Sequence, residues 1–408
     1  MLDSKAFLDS GQSVVHGVRR ALAEVLAGVG GDPSQPQEIS RRFGLDKTLT
    51  WRIARVIREE DAWEAVPHIP RRPSIRIFVK RMAQHGATQA QLDSVLRAVD
   101  DFERFVETHS GDRETLEAMV SGTAKRSAEK RMETFRKSGF QANSAVWGIR
   151  ARLQFSLNIM TPAAQPDMLD IATVCGFSDL LRLRANVPWA VASAIAWDTP
   201  DGAAADGGSA PLPLHPEGLF DGVPVLPQFC SDPPPALRTV RARGGNSRFE
   251  ITGGPVGNTA AATVVLGWRW PTGVSIFQGS PGEMGEHGAH LSTPVEMAVV
   301  DLLIHRTLTF AMQPVARVYS ELPGGPRYPT EGQDTGLLPL PDDVVDLGAG
   351  PPDTTTPELP RYREIVEFAT QRLGCSINDF RGFRYRLRYP PIPTLALLQH
   401  RLLTRPGE

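Results

Sequence analysis

The chain has 408 residues, of which 41% are hydrophobic and 22% are charged, a composition typical of globular proteins with two or three domains. It contains no run of eighteen apolar residues, which argues against a transmembrane helix, and its three cysteines are too widely separated for a disulfide framework or a CxxC metal clamp. The net charge is −2, but residues 1–160 hold 25 basic and 20 acidic side chains, whereas the remainder holds 19 and 26. The first 160 residues are therefore mildly basic, which permits nucleic-acid binding without requiring it.

One helix is predicted over residues 5–29. Two shorter helices joined by a tight turn are predicted over residues 36–58. Gly44 is predicted to end the second helix, because glycine reaches the left-handed backbone region without strain. Asp46 precedes the third helix at a position where its carboxylate can accept hydrogen bonds from free amides. The apolar residues of the third helix share one face and follow an i, i+4, i+7, i+8 spacing: Leu49, Ile53, Val56 and Ile57.

The opposite face of this third helix is polar and largely cationic. With its short helix, glycine turn and second helix, the segment resembles the helix-turn-helix of bacterial transcriptional regulators, in which the second helix of the motif enters the major groove. The resemblance covers residues 36–58 alone. It implies base contacts from Lys47, Thr48, Trp51 and Arg55, and phosphate contacts from Arg41, Arg42, Arg52 and Arg58. Thr50 departs from the pattern, because a buried aliphatic residue is usual there and a buried hydroxyl needs a hydrogen-bond partner.

A plain helical hairpin with a solvated basic face is the alternative interpretation of residues 36–58. A winged motif would continue with a β-hairpin, but three prolines interrupt the next segment, which predicts a surface loop. Within it, residues 75–79 fit either a strand or the start of a helix. Arg71, Arg72 and Arg76 make this segment basic, so it could add phosphate contacts.

The most regular helical pattern covers residues 88–107, with Thr88 as its cap and an apolar seam over two heptads. We expect this seam to pack within the N-terminal half, and a dimer interface is the alternative. A further helix with a solvated, charged face is predicted over residues 112–137. For residues 143–160 the pattern fits either a continued helix or extended structure.

After Met160 the sequence changes to β-branched runs separated by glycine and proline, which predicts strands. These runs are DMLDIATVCGF, VPWAVASAIAW, RFEITG, ATVVLGWRW and GVSIFQG. Between the second and third runs, the low-complexity residues 201–218 predict a flexible loop. A capping-box pattern predicts a helix over residues 293–308, and another helix is predicted over residues 360–373. Alternating aromatic and arginine residues over 380–389 predict a half-buried strand, with its arginines in solvent or in salt bridges.

Signatures of catalysis are weak. His287 and His290 lie in the glycine-rich stretch EMGEHGAH, which lacks the HExxH spacing and offers only weak candidate metal ligands. No GxSxG elbow and no phosphate-binding loop occurs, so we predict no cofactor. An enzyme in the C-terminal half, metal-dependent through these two histidines, is one alternative function. A structural or assembly protein is the other.

The predicted fold class is α + (α+β), with a helical domain over residues 1–160 and a mixed, β-rich α+β domain over residues 161–408. We expect a non-enzymatic protein that binds double-stranded DNA and regulates transcription. The C-terminal half would sense a small-molecule effector or form a homo-oligomer. The first residues lack the basic start and apolar stretch of a signal peptide, so a cytoplasmic location is expected.

Overall fold

The structure, a computed structural model, describes residues 4–120, 127–185, 187–195, 212–241, 246–322 and 336–405. The chain divides into two compact units, residues 1–132 (unit 1) and 133–408 (unit 2). Unit 1 is helical and unit 2 is β-rich with mixed sheets, which agrees with the predicted class. The boundary lies earlier than the predicted one at residue 160, because the strand that begins at Ile149 pairs within the main sheet of unit 2.

Unit 1 contains α1 (Ser4–Gly28), α2 (Pro36–Phe43), α3 (Lys47–Arg58), α4 (Ala62–Ala65), α5 (Arg72–Gln84), α6 (Gln89–His109) and α7 (Arg113–Val120), and the unit boundary falls within α8 (Ser127–Trp147). One prediction needs correction here. The predicted surface loop after Asp61 is wrong, because α5 forms there and buries Phe78 and Met82 in the helical core. In the region predicted as one helix, 112–137, the structure describes α7 and the first part of α8, and residues 121–126 lie outside the described ranges.

The regular helix α6 packs inside unit 1. Its predicted cap is present, since the Thr88 side chain and Gln91 form a capping box. The seam residues of α6 are at most 4% exposed and share one core with α1: Leu92, Val95, Val99, Phe102 and Val106. The seam is therefore covered within one chain, as expected, and is not available as a dimer interface.

The strands of unit 2 are β1 (Ile149–Pro162), β2 (Met168–Arg182), β3 (Trp189–Ile195), β4 (Leu212–Pro213), β5 (Leu219–Phe220), β6 (Val223–Pro224), β7 (Leu237–Arg241), β8 (Asn246–Ile251), β9 (Ala262–Ser275), β10 (Met284–Leu291), β11 (Val295–His305), β12 (Val315–Ser320), β13 (Val344–Ala349), β14 (Phe380–Arg388) and β15 (Thr394–Arg401). The main sheet has the order β13-β14-β11-β1-β2-β9-β4, and the smaller sheets are β10-β15-β12, β3-β8-β7 and β5-β6. The pair β1 and β11 is parallel, and the other neighbouring strands of the main sheet are antiparallel.

The first four predicted strand runs are confirmed as β2, β3, β8 and β9. The fifth, GVSIFQG, is not a separate strand, because β9 continues through Gly273 to Ser275. The predicted flexible loop at 201–218 lies largely outside the described residues. The last predicted helix is confirmed as α9 (Tyr362–Arg372), which is followed by Gly374 at φ 74°.

Both faces of the main sheet are covered. On one face, Val299 and Leu303 of β11 share a core with the apolar side of α9. On the other face, Val300 and Leu302 share a core with residues of the β10-β15-β12 sheet. The centre of the sheet is therefore shielded from solvent on both faces. A strand in this position needs apolar residues at nearly every position.

The predicted helix over residues 293–308 is wrong, because this segment is β11 at the middle of the main sheet. A strand buried on both faces is a continuous apolar run, and such a run also satisfies helical spacing. Pairing with β1 on one edge and β14 on the other fixes the extended form. Thr293, the predicted helix cap, accepts a hydrogen bond from the Trp189 indole instead.

The strand β14 is confirmed, and its arginines form salt bridges. Arg384 lies directly opposite Asp301 of β11, and the two side chains are 4% and 0% exposed. Nε of Arg384 donates to Oδ1 of Asp301 at 2.8 Å, and Nη2 donates to Oδ2 at 2.7 Å. The guanidinium also donates to the carbonyl oxygens of Thr354 and Thr355 at 2.9 and 2.7 Å. Four of the five guanidinium N–H groups thus donate to an acceptor, and each carboxylate oxygen accepts a hydrogen bond.

No helix in the described ranges is both long and apolar enough to cross a lipid bilayer.

Replacing Arg384 by methionine should lower the free energy of unfolding of unit 2 by about 3–5 kcal/mol, because Asp301 keeps a buried, unpaired charge. Arg381→Met on the same strand is the matched control, since the Arg381–Asp346 pair is exposed on both sides. Urea unfolding at neutral pH measures both losses. Equal losses for the two variants would contradict a dominant role of the buried pair.

Candidate nucleic-acid interface

The turn between α2 and α3 has the predicted residues at its ends. Gly44 has φ 64° and ψ 36°, and its amide donates to the Ser40 carbonyl oxygen. The Ser40 hydroxyl then donates to the Leu45 carbonyl oxygen at 2.8 Å. Asp46 accepts hydrogen bonds from the amides of Thr48 and Leu49 at 2.8 and 3.1 Å, and these bonds lower its pKa. Side-chain contacts therefore close both ends of the turn.

The apolar face of α3 lies in the core of unit 1. Leu49, Ile53 and Val56 are at most 8% exposed, and Ile57 packs at the edge of the same core. Thr50 is 1% exposed, and its hydroxyl donates to the carbonyl oxygens of Asp46 and Lys47 at 3.2 and 3.0 Å. The hydroxyl is thus satisfied within the helix itself, so Thr50 packs like an aliphatic residue at this position.

The exposed face of α3 consists of Thr48, Trp51, Arg52 and Arg55, which follow an i, i+3, i+4, i+7 spacing. Trp51 is 50% exposed, and its ring meets the half-buried His68 edge-on at 5.4 Å. The His68 ring therefore covers part of the indole, and the rest of the indole is exposed to solvent. Lys47 is also exposed, at the first position of the helix.

The predicted basic residues fall into two groups according to their partners. Arg42 donates to the carbonyl oxygens of Val29 and Gly30 at 3.1 and 2.7 Å and so closes the end of α1. Arg55 pairs with Glu59 at 3.1 Å. Of the predicted contact residues, all of which lie in the described ranges, Arg41, Lys47, Arg52 and Arg58 are exposed and form no ion pair.

Arg58 nevertheless affects a nearby acid. The pKa of Asp32 is lowered chiefly by hydrogen bonds from Ser34, and the charge of Arg58 adds to this effect. Sequence reasoning missed one further cation at this turn, Arg81 of α5, because its proximity to Gly44 joins residues far apart in the chain.

The two candidate metal ligands lie on β10 and point to opposite sides of it. His287 is buried, and its Nε2 lies 3.2 Å from Nε2 of His400. His290 is exposed, and its Nδ1 lies 2.8 Å from Oε1 of Glu321. The strand alternation separates the two imidazoles, so they cannot bind one ion together. No group of three or more potential metal ligands occurs among the residues that the structure describes.

Removing the cap of α3 with Asp46→Ala should lower the thermal midpoint of unit 1, because two amides lose their acceptor. Asp46→Asn is the control, since its amide oxygen can accept the same bonds. Circular dichroism at 222 nm follows both variants. Identical melting of Asp46→Ala and the parent protein would contradict the capping role.

Acid should destabilise unit 2 through His287. Burial and the neighbouring His400 lower the pKa of His287 to about 3 from 6.5, so the unfolded chain takes up this proton first on acidification. The stabilisation is complete above pH 6.5 and declines as the pH falls towards 3, by roughly 2 kcal/mol at pH 5. Urea unfolding at pH 7 and pH 5 measures it.

In this titration, His287→Phe should reduce the loss between pH 7 and pH 5. The control His290→Phe should not reduce it, because the hydrogen bond to Glu321 raises the pKa of His290 and its protonation is stabilising. An unchanged pH dependence in His287→Phe would show that other groups cause the loss.

Comparison with known proteins gives no family for this chain. No family model matches it, and neither does any curated protein. A solved structure from Parabacteroides distasonis ATCC 8503, provisionally described as a protease, aligns with 8% identity over 62% of this chain and 40% of that chain. The chain thus spans less than half of that protein. The TM-score is 0.23, which is too low to support a shared fold.

Proposed function

We propose that unit 1 binds double-stranded DNA by inserting α3 into the major groove, and that the protein regulates transcription. The exposed face of α3 carries this proposal, because it presents hydroxyl, indole and guanidinium groups at helical spacing. Its opposite face is buried, so these groups are held on a fixed support. Such side chains are suited to base edges in the major groove.

The N-terminal part of α3 is the proposed reading end. Lys47, Thr48 and Trp51 would contact bases, and Arg41, Arg52 and Arg58 would contact phosphates. Arg55 would first have to leave Glu59, which costs little, because an exposed ion pair is worth about 1 kcal/mol or less. Arg42 would act indirectly, since its guanidinium already holds the end of α1.

Unit 2 is proposed to sense a small molecule or to assemble the protein into a homo-oligomer, and the protein is proposed to act in the cytoplasm. A dimer would present two copies of α3 to symmetric half-sites. The seam of α6 would not serve this purpose, because it is covered within unit 1.

The double charge reversal Lys47→Glu/Arg52→Glu should abolish retardation of sheared genomic DNA in a gel shift at low salt, because repulsion by two carboxylates replaces the base contact of Lys47 and the phosphate contact of Arg52. The matched control is Arg97→Glu/Arg104→Glu, which makes the same charge change on exposed positions of α6. The parent protein should lose affinity steeply as salt is added.

Retardation that survives in the α3 variant, or that both double variants lose equally, would contradict the assignment of α3. A flat salt response of the parent protein would contradict phosphate contacts altogether. Thermal unfolding of both variants checks that the core of unit 1 is intact.

A further inference from the structure

We propose that Arg81 of α5 contacts a DNA phosphate beside the N-terminal end of α3. It would take the role that the β-hairpin has in a winged motif. This inference rests on the proposed function, and it adds a third element to the DNA-binding surface. The DNA contacts of the proposed function come from α2 and α3.

The position of Arg81 is defined by its contact with the turn. A Cβ atom built on Gly44 would lie 3.8 Å from Cζ of Arg81, and 3.9 and 4.0 Å from its two terminal nitrogens. Gly44 stands between α2 and α3, two residues before the Asp46 cap. The guanidinium of Arg81 therefore lies at the same end of α3 as Lys47 and Thr48.

The last turn of α5 is fixed against α2. His85, which follows the last residue of α5, meets the ring of Phe43 edge-on at 4.9 Å. Phe43 is 1% exposed, and Met82, next to Arg81 in sequence, is fully buried. Arg81 is thus carried on a helix end that two buried side chains anchor, which favours a repeatable position for its charge.

The charge of Arg81 is not neutralised. Its side chain is exposed and donates one hydrogen bond, to Oε1 of Gln84 at 3.3 Å. No carboxylate pairs with it in the described ranges, whereas Arg72 at the start of the same helix pairs with Asp100 at 2.7 Å. A guanidinium in this state retains donors for the two oxygens of a phosphate.

The neighbouring cation Lys80 faces elsewhere. It lines an open groove between α5 and α6, together with Val79, Leu96 and Val99. Removing either charge alters the net charge of α5 equally. Only Arg81 lies against the α2–α3 turn, so Lys80→Ala is a matched control for general electrostatic attraction.

The test measures the association constant K of the full-length protein for a random-sequence DNA duplex of about 30 base pairs. K is determined over a range of NaCl concentrations. In Arg81→Ala the slope of log K against log[NaCl] should become shallower by about 0.9, the value for one lost phosphate contact. Lys80→Ala should keep the slope of the parent protein. Arg81→Lys retains the charge and should restore most of the slope.

Equal slopes for Arg81→Ala and Lys80→Ala would overturn the inference. The double reversal on α3 separates this result from a failure of the proposed function. If that variant loses binding while Arg81→Ala keeps the slope of the parent protein, α3 binds DNA and Arg81 does not. If the α3 variant keeps full affinity, the proposed function itself fails.

Discussion

The buried ion pair between Asp301 and Arg384 is the constraint on which the centre of unit 2 depends. It joins directly opposite residues of β11 and β14, both inside the sheet. Burial by itself would lower the pKa of Arg384, but the hydrogen bonds and charge of Asp301 outweigh burial and raise it. A register slip of one residue would turn Asp301 away from Arg384 and towards the apolar core on the opposite face of the sheet. The pair thus contributes specificity of strand register, since its net contribution to stability is offset by desolvation.

In unit 1, burial of apolar side chains stabilises α3, and polar groups determine where the helix begins and where the preceding helix ends. The core side of α3 is aliphatic apart from Thr50, whose hydroxyl stays within the helix. Asp46 begins the helix and Gly44 ends the one before it. Apart from the Trp51–His68 contact and the Arg55–Glu59 pair, the exposed face of α3 contributes little to the fold.

Much of the local structure could be predicted from sequence, because its signals lie within a few residues of one another. The α2–turn–α3 unit, the Thr88 cap and the alternation of β14 are of this kind. The prediction of a helix over 293–308 failed, because a run of apolar residues has no unique period and strand pairing decided the outcome. Among the candidate site residues, the exposure of Lys47, Thr48, Trp51, Arg52 and Arg55 follows from helical periodicity alone.

The sequence by itself determined the ends of α2 and α3 and the separation of their apolar and basic faces, because capping and periodicity act over one or two turns. Only the tertiary structure decided which charges stay available. It directs Arg42 to the end of α1 and brings Arg81 to the α2–α3 turn. These outcomes depend on contacts between residues far apart in the chain, for which no local pattern carries a signal.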